Sequence, residues 1–290
     1  MRSTATPWDV PIYLFLVVFA VFCAVPMLLI VMVSVTDEAS IIKHGYSLIP
    51  AEFSVEAYKI VFRRGSSVLR SYTVTGFVTF TGTLLAVAIT AMAAYTLANK
   101  HVKYRNGMAM FVFITMLFHS GLVPWYVMCR NLGLTDNVLA LIIPSLLFNP
   151  FNLFLVRNFM KGIPDSLMDS AKIDGASDFR IAFAIFFPLS TPVLAAVSLF
   201  YALGYWNDWF NAIMLVDDKR LYPLQYLLLK LRELQTLAEL QMAGMGSDFT
   251  VPGESLKMAT AIVTIGPIVF FYPFLQRYFV KGLIIGSIKG

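Results

Sequence analysis

Charge is scarce in this sequence of 290 residues: 13% are Asp, Glu, Lys or Arg, where a soluble domain carries about a quarter. Cysteine is scarcer, two in all. Cys23 and Cys129 fall far apart, in or beside hydrophobic stretches and outside any C-x-x-C, so they read as packing residues rather than a disulfide or a metal site. His44, His101 and His119 are scattered as well, and no metal cluster is expected from them. The phosphate-cradling pattern G-x-x-x-x-G-K-[ST] is absent. No nucleophile, base and orienting group share a plausible cleft. The expectation is a chain that is not an enzyme and holds no cofactor of its own.

What is present is grease. Hydrophobic residues make up 58% and the mean hydropathy is +0.74, which places the chain in lipid. The formal charge of +5 therefore reads first as a marker of membrane topology and not as a nucleic-acid footprint. Only Arg2 precedes the first apolar run, with Asp9 beside it, and the run from Ile12 to about Val35 is too long for a signal core. It reads as a retained first helix. About 20 helical residues cross a bilayer, and six stretches qualify: 12–35, 70–97, 107–129, 138–158, 182–210 and 258–279. Gly121 with Pro124 and Pro188 with Pro192 interrupt the third and fifth; kinks rather than ends are expected, because neighbours can satisfy the freed carbonyls. The fold class is all-α integral membrane.

Six spans put both termini on one side. Lysines and arginines divide evenly between the two sets of loops, so density decides. "NKHVKYR" (Asn99 to Arg105) and the tail with Arg277, Lys281 and Lys289 carry bases without acids. Short loops weigh most in the positive-inside rule, which places both termini in the cytoplasm. The loops at 36–70 and 211–257 are then external. In the second, Leu227, Leu231, Leu234, Leu237 and Leu240 repeat at helical spacing with a polar opposite face. The organisation read is 1–69 as first span and external loop, 70–280 as the membrane core, and 281–290 as a cytoplasmic tail.

One cytoplasmic segment is unlike a bland loop. "DSLMDSAKIDGASDFR", residues 165–180, follows Pro164, which suits a first helical turn, and Asp165 suits the positive helix end. Leu167, Ser170, Ala171 and Asp174 share one face, small in the middle and bordered by charge. Gly175 is placed to end the helix in the left-handed conformation. A helix lying on the membrane would want a broad apolar face and basic flanks; a small-residue face with balanced charge suits a groove on another protein. Both readings stand on composition alone.

The same residues resemble the EAA loop of the permease subunits of binding-protein-dependent ABC importers, whose pattern is E-A-A-x-x-D-G-A with a proline twelve residues further on. Ala171, Asp174, Gly175 and Ala176 match, and Pro188 falls at that distance. Asp169 and Ser170 stand where glutamate and alanine are usual. Three further blocks, "LVPWYVMCRNLGLTDNVLALIIP", "LFYALGYWNDWFNAIMLV" with "LYPLQYLL", and "YPFLQRYFVKGLIIGSIKG", look like the maltose-type and complex-oligosaccharide branch of that family. The resemblance implies a coupling helix over 164–176 seated in a cytoplasmic ATPase, with Pro164, Leu167, Asp169, Ser170, Ala171, Asp174, Gly175 and Ala176 as its contacts. It further implies a second homologous permease, two ATPase subunits that bind ATP and Mg, and an external substrate-binding protein. The site would be the bacterial inner membrane and the cargo an oligosaccharide, large or modified, as with uronates.

A second polar cluster is "YWNDWFN". Tyr205, Trp206, Asn207, Asp208 and Trp209 offer rings to stack on sugars and groups to bind hydroxyls, but Trp and Tyr also anchor spans at the interface. Asn149 and Asn152 in span four and His119 in span three are further polar groups that line a path or bond across helices. A secondary carrier driven by an ion gradient would want acids inside its spans, and apart from Asp208 at one edge they are missing. A non-sugar cargo remains open on the EAA segment alone.

Overall fold

The computed structural model describes residues 9–63, 65–118, 120–144, 146–233 and 253–266. Among these the chain is helical, with no strand beyond a single antiparallel bridge from Thr36 to Phe53. Two compact units emerge. One draws on Met1–Val68 and Leu228–Pro267, the other on Leu69–Leu227 and Ile268–Gly290.

In the first unit, α1 (Asp9–Ser34) contains an apolar stretch long enough to cross a membrane, Val10–Ser34, with none of its most hydrophobic window buried in the protein. Phe15, Phe19 and Phe22 all stand exposed. A continuous apolar surface of this length has lipid as its natural solvent. The helix ends where hydroxyls turn back on it: Ser34 Oγ donates to the Val31 carbonyl at 2.6 Å and Thr36 Oγ1 to that of Met32 at 2.7 Å. Asp37 then caps α2 (Glu38–His44), accepting the Ala39 amide, and α3 (Glu56–Arg63) follows.

A helix over 254–266 belongs to the same unit. Its start is held by Glu38, 8% exposed. The Glu38 carboxylate accepts the backbone amides of Glu254 and Ser255 at 2.9 and 3.0 Å and the Ser255 hydroxyl at 2.7 Å. A buried carboxylate is costly without partners; here it meets three donors at the positive end of a helix. Tyr46 donates its hydroxyl to Glu254, which also pairs with Lys257 at 2.8 Å. Those two donors hold the Glu254 carboxyl below its usual range, the Lys257 bond contributing most. The expected sixth span, 258–279, is described only to residue 266.

Most of α4 (Gly65–Ala98) opens the second unit; among the described residues its Ser67–Ala98 is the other single helix able to span. The expected third span is not one kinked helix. It is α5 (Arg105–Leu117) and α6 (Leu122–Asn131), meeting at 119°. Gly121, at φ +85°, makes the break, and Pro124 falls in the first turn of α6, where its missing N–H leaves nothing unpaired. The expected fourth span is likewise divided, into α7 (Leu139–Ile142) and α8 (Pro150–Met160). Pro150 opens α8, and the Asn149 side chain caps it by accepting the Asn152 amide at 3.2 Å.

After α9 (Asp165–Ile173) the expected fifth span runs from α10 (Asp178–Ile181) through a π-helical stretch, Ala182–Phe186, into α11 (Phe187–Leu189). It then turns 81° into α12 (Thr191–Trp206). Two prolines deprive that turn of amides. Ser190 N–H reaches back to the Phe186 and Phe187 carbonyls, and Thr191 Oγ1 donates to that of Pro188 at 2.7 Å, so these freed carbonyls are met at the bend, while the buried Ser190 hydroxyl has no partner among the described residues. α13 (Phe210–Leu215) and the first residues, 224–227, of a helix at 224–233 complete the described part of this unit. That helix is the first half of the amphipathic stretch; residues 234–243 lie outside the described residues.

The core of this unit is organised by Tyr205, 1% exposed. Its ring lies flat on Gly82 of α4, where an added Cβ would sit 2.5 Å from the ring. The position admits only glycine, a small residue that lets two apolar helices approach. Gly82→Ala is therefore expected to cost about 1–3 kcal/mol by overpacking. Gly76→Ala, with no atom within 4 Å of the added carbon, gains helix propensity and is expected to raise the melting point in detergent slightly. Glu38→Ala strands two helix-end amides, and a loss of about 1–3 kcal/mol is expected, read as a lower melting temperature.

Candidate functional site

The sixteen residues that stand out in sequence fold as a short helix on a single anchor. Only Met168, 2% exposed, is buried in α9; Ala171 and Lys172 are half-buried on the same side. Leu167, Asp169, Ser170, Asp174 and Gly175 are exposed, and Ile173 is 87% exposed. Pro164 occupies the capping position one residue before the helix, rather than its first turn. The far end closes as expected. Gly175 takes φ +78°, its amide donates to Lys172 O at 3.0 Å, and the Ala176 amide donates to Ala171 O at 2.9 Å. This pair of bonds is a Schellman motif, and it explains the glycine. The space around Gly175 is open, so backbone angle, not crowding, makes the demand.

Two ion pairs flank the helix. Lys100, in the turn after α4, holds Asp165, and Lys172 reaches Asp178 at 3.5 Å. All four side chains are about a third or more exposed, so each pair contributes roughly 0–1 kcal/mol. They orient the helix more than they stabilise it. Ser177 starts the next helix by accepting the Arg180 amide at 3.3 Å. Phe179 then stacks on Phe183, centroids 4.9 Å apart, and Phe183 meets Phe187 edge-on at 4.8 Å.

The polar residues of the spans fall into two places. Asn149 and Asn152 meet on one cavity of ≈ 360 Å³, together with Tyr201, Phe200 and Gly204. Tyr201 is its organiser. The hydroxyl shares a hydrogen with Thr90 at 2.8 Å and accepts the Asn149 backbone amide at 3.1 Å, joining α4, α8 and α12. The Asn152 side chain is nearly enclosed and lines that cavity. Neither Tyr201 nor Thr90 is singled out by the sequence, since a tyrosine and a threonine inside apolar helices carry no pattern of their own.

The "YWNDWFN" cluster lies at the end of α12 and is mostly occupied with structure. Tyr205 donates its hydroxyl to the Ile142 carbonyl at 2.8 Å. Trp206 lies near Tyr72, centroids 6.5 Å apart. Asn207 Oδ1 accepts from Gln225 at 3.1 Å. Asp208 accepts the backbone and side-chain amides of Asn211 at 3.1 and 2.9 Å, and Asn211 donates in turn to the Pro144 carbonyl at 3.2 Å. Trp209 is 48% exposed. His119 lies outside the described residues. Among the described residues no group of acids, histidines or cysteines could hold a metal ion.

Comparison with known proteins bears on the whole chain. Residues 86–285 match the family model described as "Binding-protein-dependent transport system inner membrane component". The polygalacturonan/rhamnogalacturonan transport system permease protein YtcP of Bacillus subtilis is 37% identical over 283 residues, 98% of each chain. Protein LplC of the same organism is 39% identical over 285 residues, 98% of this chain and 95% of its own. Among solved structures, a chain from a bacterial ABC transporter involved in the import of the acidic polysaccharide alginate superposes with a TM-score of 0.81 at 27% identity, covering 96% of this chain and all of that one. A helical chain with membrane-length apolar helices, an anchored surface helix at the EAA-like segment and these relatives at full length has one reading: it belongs to the family of binding-protein-dependent transport system inner membrane components, with the fold of an ABC importer permease.

Proposed function

We propose that this chain is one of two membrane subunits of an ATP-driven importer that takes in oligosaccharides, uronate-containing ones in particular, handed over by an external binding protein. The cargo reading is supported by the relatives named for polygalacturonan and rhamnogalacturonan transport and by the likeness to an alginate importer. In this reading the chain crosses the bacterial inner membrane six times with both termini in the cytoplasm. ATP and magnesium belong to two ATPase subunits, and a second homologous permease completes the pathway.

The observation that carries the proposal is the form of α9. A helix held by one buried methionine, with Ile173 and Leu167 turned outward, presents apolar surface that its own chain leaves uncovered. The ATPase covers it. Closure of two ATPases on ATP pulls on α9, and the covalent continuation into α10 and the π-helical stretch passes that displacement to the fifth span. Substrate then moves along the cavity of Asn149, Asn152 and Tyr201, in which the Asn152 amide meets sugar hydroxyls while the Phe200 ring packs against a sugar face. Trp209 and Asn207, exposed at the end of α12, stand at its approach.

Affinity purification of the tagged chain from gently solubilised membranes tests the assembly. An ATPase and a second permease are expected to co-purify. Gly175→Pro is expected to lose the ATPase and keep the permease, because proline cannot adopt φ +78°. Recovery of the chain alone, with ion-driven uptake intact, would overturn the proposal. The pathway has its own test: Asn152→Ala is expected to lower uptake of acidic oligosaccharide about tenfold, the loss of one sugar hydrogen bond, with ATPase co-purification unchanged.

A further inference from the structure

The turn after α4, the start of α5, the end of α8 and the start of α9 enclose a cavity of ≈ 230 Å³. Its charged lining is Lys100, Arg105, Lys161 and a single carboxylate, Asp165. Lys100 already holds Asp165. Arg105 and Lys161 are left without an acid, and among the described residues neither forms an ion pair. Arg157, one turn before Lys161, adds a further positive charge, with its Nε committed to the Leu97 carbonyl at 3.2 Å. Lys161 is itself exposed, and its slight desolvation, with Arg157 and then Arg105 beside it, sets the ammonium below its usual range. Cations gathered in this way repel one another until an anion sits among them.

Backbone geometry adds to the same field. α5 begins at Arg105 with neither a side-chain cap nor an acid in its first turn. Its positive end therefore stands open at the edge of the cavity. Apart from Asn99, the remaining walls are apolar: Ala98, Met160, Ile163, Met168 and Phe186. Ala98, also in the wall, ends a helix long and apolar enough to cross the bilayer. The cations thus stand where hydrocarbon gives way to head groups. A soluble anion would satisfy the charges but leave the apolar wall bare; an amphiphile satisfies both.

We propose that this cavity binds the phosphate of an anionic membrane phospholipid. Asp165 and Met168 of α9 line the same cavity, so the bound head group bears on the base of the helix assigned above to the ATPase. The site rests on the placement of α4 in the membrane and not on the cargo or the partners.

The chain, purified with whatever subunits accompany it, is examined by native mass spectrometry after equilibration with phosphatidylglycerol and phosphatidylcholine in equal amounts. The wild type is expected to retain phosphatidylglycerol preferentially. An Arg105→Gln/Lys161→Gln variant is expected to bind it on the order of thirtyfold more weakly, two basic contacts having gone. Lys103→Gln serves as the control: that ammonium lies over the Tyr104 ring, 5.3 Å from its centroid, outside the cavity lining, and the variant is expected to retain the lipid. No preference in the wild type, equal retention in the double variant, or equal loss in the control would overturn the proposal. So would displacement of the lipid by millimolar inorganic phosphate, which would make the ligand a soluble anion. The wild-type preference is read without any variant, and retention is scored whether or not an ATPase co-purifies, so failure of the importer reading and failure of the lipid site are told apart.

Discussion

Every backbone amide and carbonyl that enters hydrocarbon must find a partner inside the protein, because lipid offers none. The rest of the structure depends on how that demand is met between Ile142 and Pro150, where the expected fourth span divides into α7 and α8. A carbonyl left bare there would cost several kcal/mol. Tyr205 covers that of Ile142, Asn211 covers that of Pro144, and Tyr201 takes the amide of Asn149. Three side chains from α12 and α13 thus do what a continuous helix would have done for itself. Once they are committed, α12 cannot slide against the break. Its ring at Tyr205 must also find a flat bed on α4, which Gly82 supplies.

The same accounting explains why breaks occur at all. An unbroken span would seal its polar groups inward and offer nothing to a passing hydrophilic solute. A broken one brings backbone and capping side chains to a cavity wall, as Asn149 does at the start of α8. The bend at Ser190 follows the same rule with different means: the Thr191 hydroxyl and a shared amide of Ser190 replace what Pro188 and Pro192 remove. The break before α8 is packed on one side by Tyr205 and Asn211 and lines the cavity of Asn149, Asn152 and Tyr201 on the other, next to elements that the α9 segment leads into.

α9 obeys a different constraint. It lies on its own chain through Met168 and is oriented by weak ion pairs, so little energy resists its displacement, while its Schellman end keeps the helix itself intact. The helix is thus stiff within and loosely seated. The cation-lined cavity beneath it adds a second influence at the same base, from the membrane side.

Much of this was legible in order of the residues. Apolar runs located α1 and α4 because length and hydropathy alone define a span. Pro164, Asp165 and Gly175 marked both ends of α9, which starts one residue and stops three residues inside the expected 164–176, since caps and left-handed glycine are local chemistry. The extent of the breaks was not legible: proline and glycine mark a weak point, but whether it bends or ends depends on which distant side chain reaches the freed group. Glu38 as the cap of a helix 216 residues further along, Tyr201 as the organiser of a cavity and Met168 as the anchor of α9 were equally silent, each an ordinary residue in its own neighbourhood. The sequence by itself determined the membrane setting, the exposed helix and its ends, because those follow from interactions between residues a few positions apart. Only the tertiary structure decided where the spans divide and which polar groups remain open to a ligand, because hydrogen bonds between distant segments exist only after those segments have packed.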